Sequence, residues 1–542
     1  MIFRSLVAMY WFPRAASVML AMLRRNDNRP SAFVHEYWHT ADFTSQPAAI
    51  ARSDNGLRLV LKYGMLAQAA IGVLFIVLWK ANGLLAGELF GAALLVSYPL
   101  IWAHLLAIYA VADTAGYLFL HPKRLGRALV CRQLESQVRR LRKRHDFKIV
   151  AVAGSVGKTS TKLAIAELLT QKYRVRHQVG NYNDRVTVPL ILFGQHEPSI
   201  LNVFTWLRIF RANARALKRP YPYEVVVVEL GTDGPGFMRE FAYLKPDITV
   251  VTAITEEHME YFKTLEAVAA EELKVFDFSN TVLVNGDDIP GKYLAGREFT
   301  EYSTSSQQAA YYTKPTSESL EGQMLDITLP EGRVTAAKVK YIGWHGAKFA
   351  LAAAAVGDMI GMKPNEIKKG LERLEHFAGR MQVLPGQKGT VLIDDTYNAS
   401  PVAVKAALDV LYAAKSKQRI AILGSMNELG DYSPKAHREV GEYCDPKKLA
   451  SVVTIGHDAE RYLAPAARKK GCVVTSFLSP YEAGDFVQRE LKEGAIVLAK
   501  GSQNGVFAEE ALKSLLVTQK DAQKLVRQSS YWLKRKAKQF NG

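Results

Sequence analysis

Residues 146–171, DFKIVAVAGSVGKTSTKLAIAELLTQ, read in order as a buried strand, a glycine turn and a helix. The strand is the apolar run 149–153, bounded by polar residues before it and by Gly154 after it. In the turn, Gly154-Ser155-Val156-Gly157-Lys158-Thr159-Ser160, two glycines let backbone N–H groups close around phosphate oxygens. Lys158 adds a positive charge, and the Thr159 hydroxyl is placed to hold a magnesium ion. Apolar residues then recur at Leu163, Ile165, Ala166, Leu168 and Leu169, the spacing of a helix whose dipole points at the phosphates. The stretch predicts a nucleoside triphosphate site. The common P-loop spacing puts a glycine five residues before Gly157; Val152 stands there, so this loop is a shorter variant.

Outward from this stretch, strands and helices alternate. Apolar runs at 225–230, 248–253, 281–284, 391–393, 419–423, 451–455 and 495–499 predict a doubly wound parallel sheet architecture of the α/β class. Between about 296 and 343 the chain is richer in Ser, Thr and Tyr, and short alternating runs at 324–329 and 334–342 predict an antiparallel flap inserted on the sheet. The basic tail after Lys520 predicts a solvated helix that could touch lipid.

Upstream of the loop the character changes. Residues 1–23 are apolar but broken by Arg4, Pro13 and Arg14, the pattern of an interfacial or weakly spanning helix. The run 57–79 carries charge only at Arg58 and Lys62 and is long enough to span a bilayer, which needs about 20 apolar residues. A second apolar run, 84–120, has room for one span at about 89–111 and includes Glu88, His104 and Asp113. Arginine and lysine flank the pair on both sides, which predicts a transmembrane hairpin with cytoplasmic ends, in a bacterial inner membrane. The expected division is a membrane-associated region at 1–145, a P-loop sheet domain at 146–380 and a Rossmann-like domain at 381–542.

Over 542 residues, 70 Lys and Arg against 52 Asp and Glu leave a net charge of +18. That excess suits phosphorylated substrates and anionic lipid; no nucleic-acid module accompanies it. Cys131, Cys444 and Cys472 are scattered without a CxxC pair, which excludes a disulfide framework and a cysteine zinc site and suits a reducing compartment.

A magnesium nucleotide site takes ligands from the C-terminal ends of neighbouring strands. Glu229 closes a run of four valines at such a point, and His258 follows the next strand. Asp394 and Asp395 end a third strand, where a carboxylate suits a ribose hydroxyl; Asn398 or Ser400 could equally cap the next helix.

The order of these motifs resembles the Mur ligases, which join amino acids or peptides to a carboxylate through an acyl phosphate. The resemblance rests on the short loop with Ser160-Thr161-Lys162, Asn181-Tyr182-Asn183-Asp184 with Val188-Pro189-Leu190, Glu229-Leu230-Gly231-Thr232, and the segment from Thr252-Ala253-Ile254 to Glu257-His258-Met259-Glu260. It covers roughly residues 146–510. It implies ATP and magnesium as cofactors, Thr159, Glu229 and His258 as metal ligands, His258 also as a catalytic residue, and Asn181 and Asn183 near the phosphates and the acyl substrate. Where the family has a carbamylated lysine serving a second magnesium, the chain reads Ala270-Glu271-Glu272-Leu273-Lys274-Val275-Phe276. Aligning Phe276 puts Glu272 in that role, with a carboxylate already built in. Lys274 is the rival, about 200° away around a helix, so only one of the two can face the metals.

Residues 343–357 resemble the family's histidine-led, alanine-rich helix near the nucleotide base, with His345 in place but Phe349 where an asparagine is usual. Phe377-Ala378-Gly379-Arg380 resembles the hinge whose arginine reaches the transferring phosphate, a fit for guanidinium chemistry. The resemblance implies Asp395 at the ribose, and Asn398 and Lys500 on the substrate side. The stretch Leu423-Gly424-Ser425-Met426-Asn427-Glu428-Leu429-Gly430, with Ser433 and His437, resembles the branch that adds D-alanyl-D-alanine to a muropeptide. Lys500-Gly501-Ser502 extends the likeness, with Gln503 in place of the usual arginine. The expected activity is ATP-dependent amide bond formation on a peptidoglycan precursor.

Overall fold

The computed structural model describes residues 122–540 apart from 179–181, 233, 258 and 504, together with four exposed helical positions, Ala70, Val73, Leu74 and Val77. Two units separate at residue 129, and the unit from Val130 onward contains two sheets. The strands of the first are β1 (Lys148–Ala153), β2 (Val175–Arg176), β3 (Val225–Glu229), β4 (Ile248–Val251), β5 (Thr281–Asn285), β6 (Thr300–Ser303), β7 (Tyr311–Ser319), β8 (Gly322–Leu329) and β9 (Gly332–Val339). Their spatial order is β2-β3-β1-β4-β5-β6-β7-β8-β9. All pairs from β2 to β7 are parallel, and β7, β8 and β9 pair antiparallel. The expected flap is thus the continuing edge of the main sheet.

Strand β1 lies inside the sheet, between β3 and β4, and both its faces are apolar, the signature of a parallel strand covered on each side. Val150 and Val152 point to a core shared with the helices Lys158–Leu169 and Gly343–Met359. Ile149, Ala151 and Ala153 point to the opposite core, with Val138 and Leu141 of the preceding helix. Residues 350–355 are buried without exception, five of them alanine, and a Cβ on Gly357 would lie 2.9 Å from Leu168 Cδ2. Small residues let this helix approach the one that begins at the phosphate loop.

The second sheet is built from β10 (Gln382–Pro385), β11 (Val391–Asp395), β12 (Arg419–Gly424), β13 (Ser451–Ile455), β14 (Val474–Phe477) and β15 (Ile496–Lys500), in the order β10-β11-β15-β12-β13-β14. Only β10 runs antiparallel. The C-terminal ends of β11, β12 and β15 therefore lie side by side, which brings the loops after them together at the edge where open sheets of this kind bind ligands.

Two expectations are corrected. The helix Ser530–Phe540 is not simply solvated: Lys536 is fully buried against Glu509 and Glu510. The inner-membrane placement is withdrawn, because among the described residues no helix is long and apolar enough to cross a membrane. The expected interfacial segment at 1–23 and the spans at 57–79 and 89–111 lie outside the described residues, the four helical positions aside.

Candidate active site

The phosphate loop leaves β1 at Gly154, whose φ of +116° and lack of a Cβ are both required: a Cβ there would stand 2.5 Å from Thr252 Oγ1 and 2.9 Å from the Ala253 nitrogen. Ser155 is held from both ends, its N–H donating to the Ala253 carbonyl at 2.8 Å and its Oγ accepting from Thr255 N at 3.1 Å. Gly157, also at positive φ, caps the helix Lys158–Leu169 and points its dipole back into the loop.

Lys158 is buried rather than exposed. Its Nζ donates to the carbonyls of Gly154 at 2.5 Å and Ser155 at 2.9 Å, and pairs with Glu257 at 3.2 Å. Burial works against its charge, but Glu257, Glu272 and Glu229 outweigh it and hold the ammonium above the usual lysine range. Thr159 Oγ1 donates to Glu229 Oε1 at 3.2 Å, and Asn183 Nδ2 reaches the same oxygen at 3.4 Å. The other oxygen of Glu229 is buried and pairs with the fully buried Lys162 at 3.2 Å.

Glu272 and Lys274 part company as the helix spacing requires. Glu272 turns to the loop, accepting from Gly154 N and from Thr232 Oγ1, both at 2.8 Å. Burial raises its carboxyl above the usual range, against the pull of Lys158 and these bonds. Lys274 instead pairs with Glu271, which also accepts from Gly236 N at 2.8 Å and Met238 N at 2.7 Å. Among the described residues no three His, Cys, Asp or Glu side chains gather as a metal cage. Magnesium does not need one, since it is held by one or two carboxylates plus substrate phosphates and water. The Thr159 hydroxyl and the Glu229 carboxylate, hard oxygens beside the loop, fit that ion, with Glu272 close behind. Asn181 and His258 lie outside the described residues.

Two cavities meet at this loop. One, of about 350 Å³, is lined by Gly157, Ser160, His345, Phe349, Asp395 and the apolar face of the helix Pro401–Ala413. His345 Nε2 is buried there without a protein partner, and burial lowers the imidazole pKa below its ordinary value. The Phe349 ring stacks on His345 with centroids 6.4 Å apart and comes within 3.2 Å of where a Gly157 Cβ would stand. The other cavity, of about 370 Å³, is lined by Lys158, Thr159, Asn183, Glu229, Asn398 and the 427–429 loop.

Arg380 and Lys500 border both cavities. Arg380 lies over the Tyr397 ring at 4.1 Å, and its Nε is buried without a hydrogen-bond partner. Lys500 Nζ bonds to Asp395 Oδ2 at 2.5 Å and to the Asn398 carbonyl at 3.0 Å. On the far side of the polar cavity, the 425–430 loop is held by His437, whose Nε2 accepts from Met426 N at 2.9 Å and whose Nδ1 lies 2.8 Å from the Ser433 carbonyl. Asn427 N donates to Ser502 Oγ at 2.9 Å, joining this loop to the one after β15. The arrangement suits phosphoryl transfer: fixed cations and backbone N–H groups at the boundary of a base-sized apolar cavity and a polar one. Glu257, quoted within a motif but given no role from sequence, emerges only here as the partner of Lys158.

Comparison with known proteins matches two parts of the chain. Residues 152–357 match the Mur ligase middle domain and residues 379–503 the Mur ligase glutamate ligase domain. The UDP-N-acetylmuramoyl-tripeptide–D-alanyl-D-alanine ligase of Bacillus subtilis is 27% identical over 376 residues, 68% of this chain and 76% of the relative. That of Haemophilus influenzae is 26% identical over 393 residues, covering 69% and 78%. A crystal structure of MurF ligase from Thermotoga maritima in complex with ADP superposes with a TM-score of 0.58 at 22% identity, covering 73% of this chain and 84% of that one. MurF from Acinetobacter baumannii gives 0.58 at 20%, covering 70% and 78%. These structures share the fold. With one matched domain on the P-loop sheet and the other on the second sheet, together more than half of the sequence, the chain belongs to the Mur ligases, a family of ATP-dependent ligases.

Proposed function

We propose that this chain joins D-alanyl-D-alanine to a UDP-MurNAc-peptide in an ATP-dependent reaction that passes through an acyl phosphate. The observation that carries the proposal is the meeting of an apolar cavity and a polar one across Gly157, Arg380 and Lys500, with Lys158 on the polar side. The names of the relatives supply the substrate class. In this reading His345 and Asp395 receive the nucleoside, and the loop from Gly154 to Ser160 receives the phosphates. The substrate carboxylate enters beside Asn183 and Asn398 and attacks the γ-phosphate. Lys158 and Arg380 neutralise charge on the transferred group, and the dipeptide amine, held by the 425–430 and 500–503 loops, then displaces phosphate from the acyl carbon. Magnesium, which Thr159, Glu229, His258 and Glu272 would hold, supplies further charge neutralisation when bound.

The test uses the purified full chain with ATP, magnesium, UDP-MurNAc-tripeptide and D-Ala-D-Ala. The expected result is phosphate release that requires both organic substrates, with a UDP-MurNAc-pentapeptide detected by mass spectrometry. Phosphate release indifferent to the dipeptide, or none at all, would refute the proposal.

A further inference from the structure

The C-terminal tail lies beyond the matched domain, which ends at residue 503, yet it reaches the loop after β11 that lines the polar cavity. Arg527, its side chain only 7% exposed, uses its whole guanidinium. Nε and Nη2 grip Glu509 at 2.8 and 2.7 Å, while Nη2 and Nη1 donate to the carbonyls of Thr396 and Tyr397 at 2.6 and 3.0 Å. Those two residues sit between Asp395 and Asn398. Tyr397 carries the ring on which Arg380 lies, and its N–H donates to the Gly379 carbonyl at 3.0 Å. Val526 fills the space beside Gly379, where a Cβ would come within 2.8 Å of its Cγ1. The tail is also anchored by Lys536, whose Nζ meets Glu509 at 2.8 Å, Glu510 at 2.5 Å and the Arg527 carbonyl at 2.9 Å.

We infer that Arg527 is a positioning residue for the ligase reaction: it fixes the 396–398 loop so that the Tyr397 ring sets the guanidinium of Arg380 between the two cavities. This rests on the reading of Arg380 as the group that faces the transferred phosphate. The division of labour in the tail is what separates this role from plain anchorage. Lys536 holds the helix Ser530–Phe540 to Glu509 and Glu510 without touching the loop, whereas two of the four Arg527 bonds go to loop carbonyls. A planar fork makes four such bonds at fixed angles; an ammonium cannot serve a carboxylate and both carbonyls in that geometry.

Arg527→Gln in the full chain is expected to lower kcat by on the order of tenfold or more, because small misplacements of a charge-stabilising group are costly, while KM for ATP changes by less than about twofold. Arg527→Lys, which keeps charge opposite Glu509 but gives up bonds to the loop carbonyls, is expected to show the same kcat loss with a smaller fall in melting temperature than Arg527→Gln, and serves if the Gln variant folds poorly. Tyr397→Leu combined with Arg527→Lys should lose no more than the worse single variant, since both act through one contact. Hydrogen exchange supplies a readout independent of catalysis: the Tyr397 and Arg380 amides should exchange faster in Arg527→Lys, and those of β12 should not. Parent-like kcat, multiplicative losses in the double variant, or unchanged exchange at 397 would each overturn the inference. A parent enzyme that forms no amide bond would refute the proposed function instead, and the exchange measurement alone would then decide whether Arg527 holds the loop.

Discussion

Replacing Glu272 by Gln and by Ala separates two things this carboxylate does. It is buried, with one oxygen on the Gly154 N–H and the other on the Thr232 hydroxyl, both at 2.8 Å. Glutamine can keep both bonds, its carbonyl accepting from Gly154 and its amide donating to the Thr232 oxygen, so only the charge is lost. Alanine removes both bonds and leaves the Gly154 N–H without a partner. An orphaned buried donor costs about 1–3 kcal/mol and the second bond about 1 kcal/mol, so Glu272→Ala should be destabilised by about 2–4 kcal/mol and Glu272→Gln by less than about 1 kcal/mol. If the charge serves magnesium, Glu272→Gln should need on the order of tenfold more magnesium for half-maximal phosphate release, the scale of losing a group that supports a metal. Denaturant unfolding reads the first quantity and a magnesium titration of turnover the second. Formate should restore part of the activity of Glu272→Ala, whose vacated space faces the loop. A Gln variant with parent turnover and parent magnesium dependence would refute the argument, leaving Glu272 as a prop for the loop. Lys274→Ala is the control, because that partly exposed side chain pairs with Glu271 away from the loop, and Glu271 keeps its bonds to Gly236 N and Met238 N, so turnover should stay close to that of the parent.

Three other outcomes are expected. Lys158→Met should keep the fold, by circular dichroism and melting temperature, but lose ATP turnover by about 100-fold or more, as for loss of one preorganised charge at a developing phosphate; activity within a few-fold of the parent would contradict the assignment of the loop. Gly154→Ala should abolish binding of a fluorescent ATP analogue, since the added Cβ would stand 2.5 Å from Thr252 Oγ1 at a φ of +116°; retained binding would mean that the loop relaxes more freely than its contacts allow. Burial of His437 lowers its pKa below the usual 6.5, and its Nε2 must stay unprotonated to accept from Met426 N. The unfolded chain therefore takes up a proton first as pH falls, so the stability gained from neutral His437 is complete above about 6.5 and declines as pH drops through the folded-state value. The stability difference between the parent and His437→Gln should shrink over that window in urea titrations, and a difference independent of pH would count against the neutral, hydrogen-bonded form.

Much of this site could be read along the chain because its parts are local. A strand, a two-glycine turn and a helix within 26 residues declare a phosphate site wherever they fold, since backbone N–H groups and one dipole do the binding. The valine run before Glu229 and the apolar run before Asp394 likewise mark buried parallel strands, whose C-terminal ends converge in any sheet of this kind. Helical geometry already required Glu272 and Lys274 to face different ways. Which of them met the loop depended on the packing of the helix Leu265–Glu272 against Thr232 and Gly154, partners 40 and 118 residues away in sequence. The same limit explains the edge of the first sheet. The runs from 311 to 339 alternate as any antiparallel hairpin does, and only the pairing of β6 with β7 joins them to the main sheet. It explains the tail as well: a stretch rich in lysine and arginine reads as a solvated face until Glu509 and Glu510, buried in another element, take Lys536 and Arg527 inside. Periodicity and turn chemistry act over a few residues and are written into the sequence, whereas the partner of a buried charge is chosen by the whole fold, because only there is the cost of leaving it unpaired incurred.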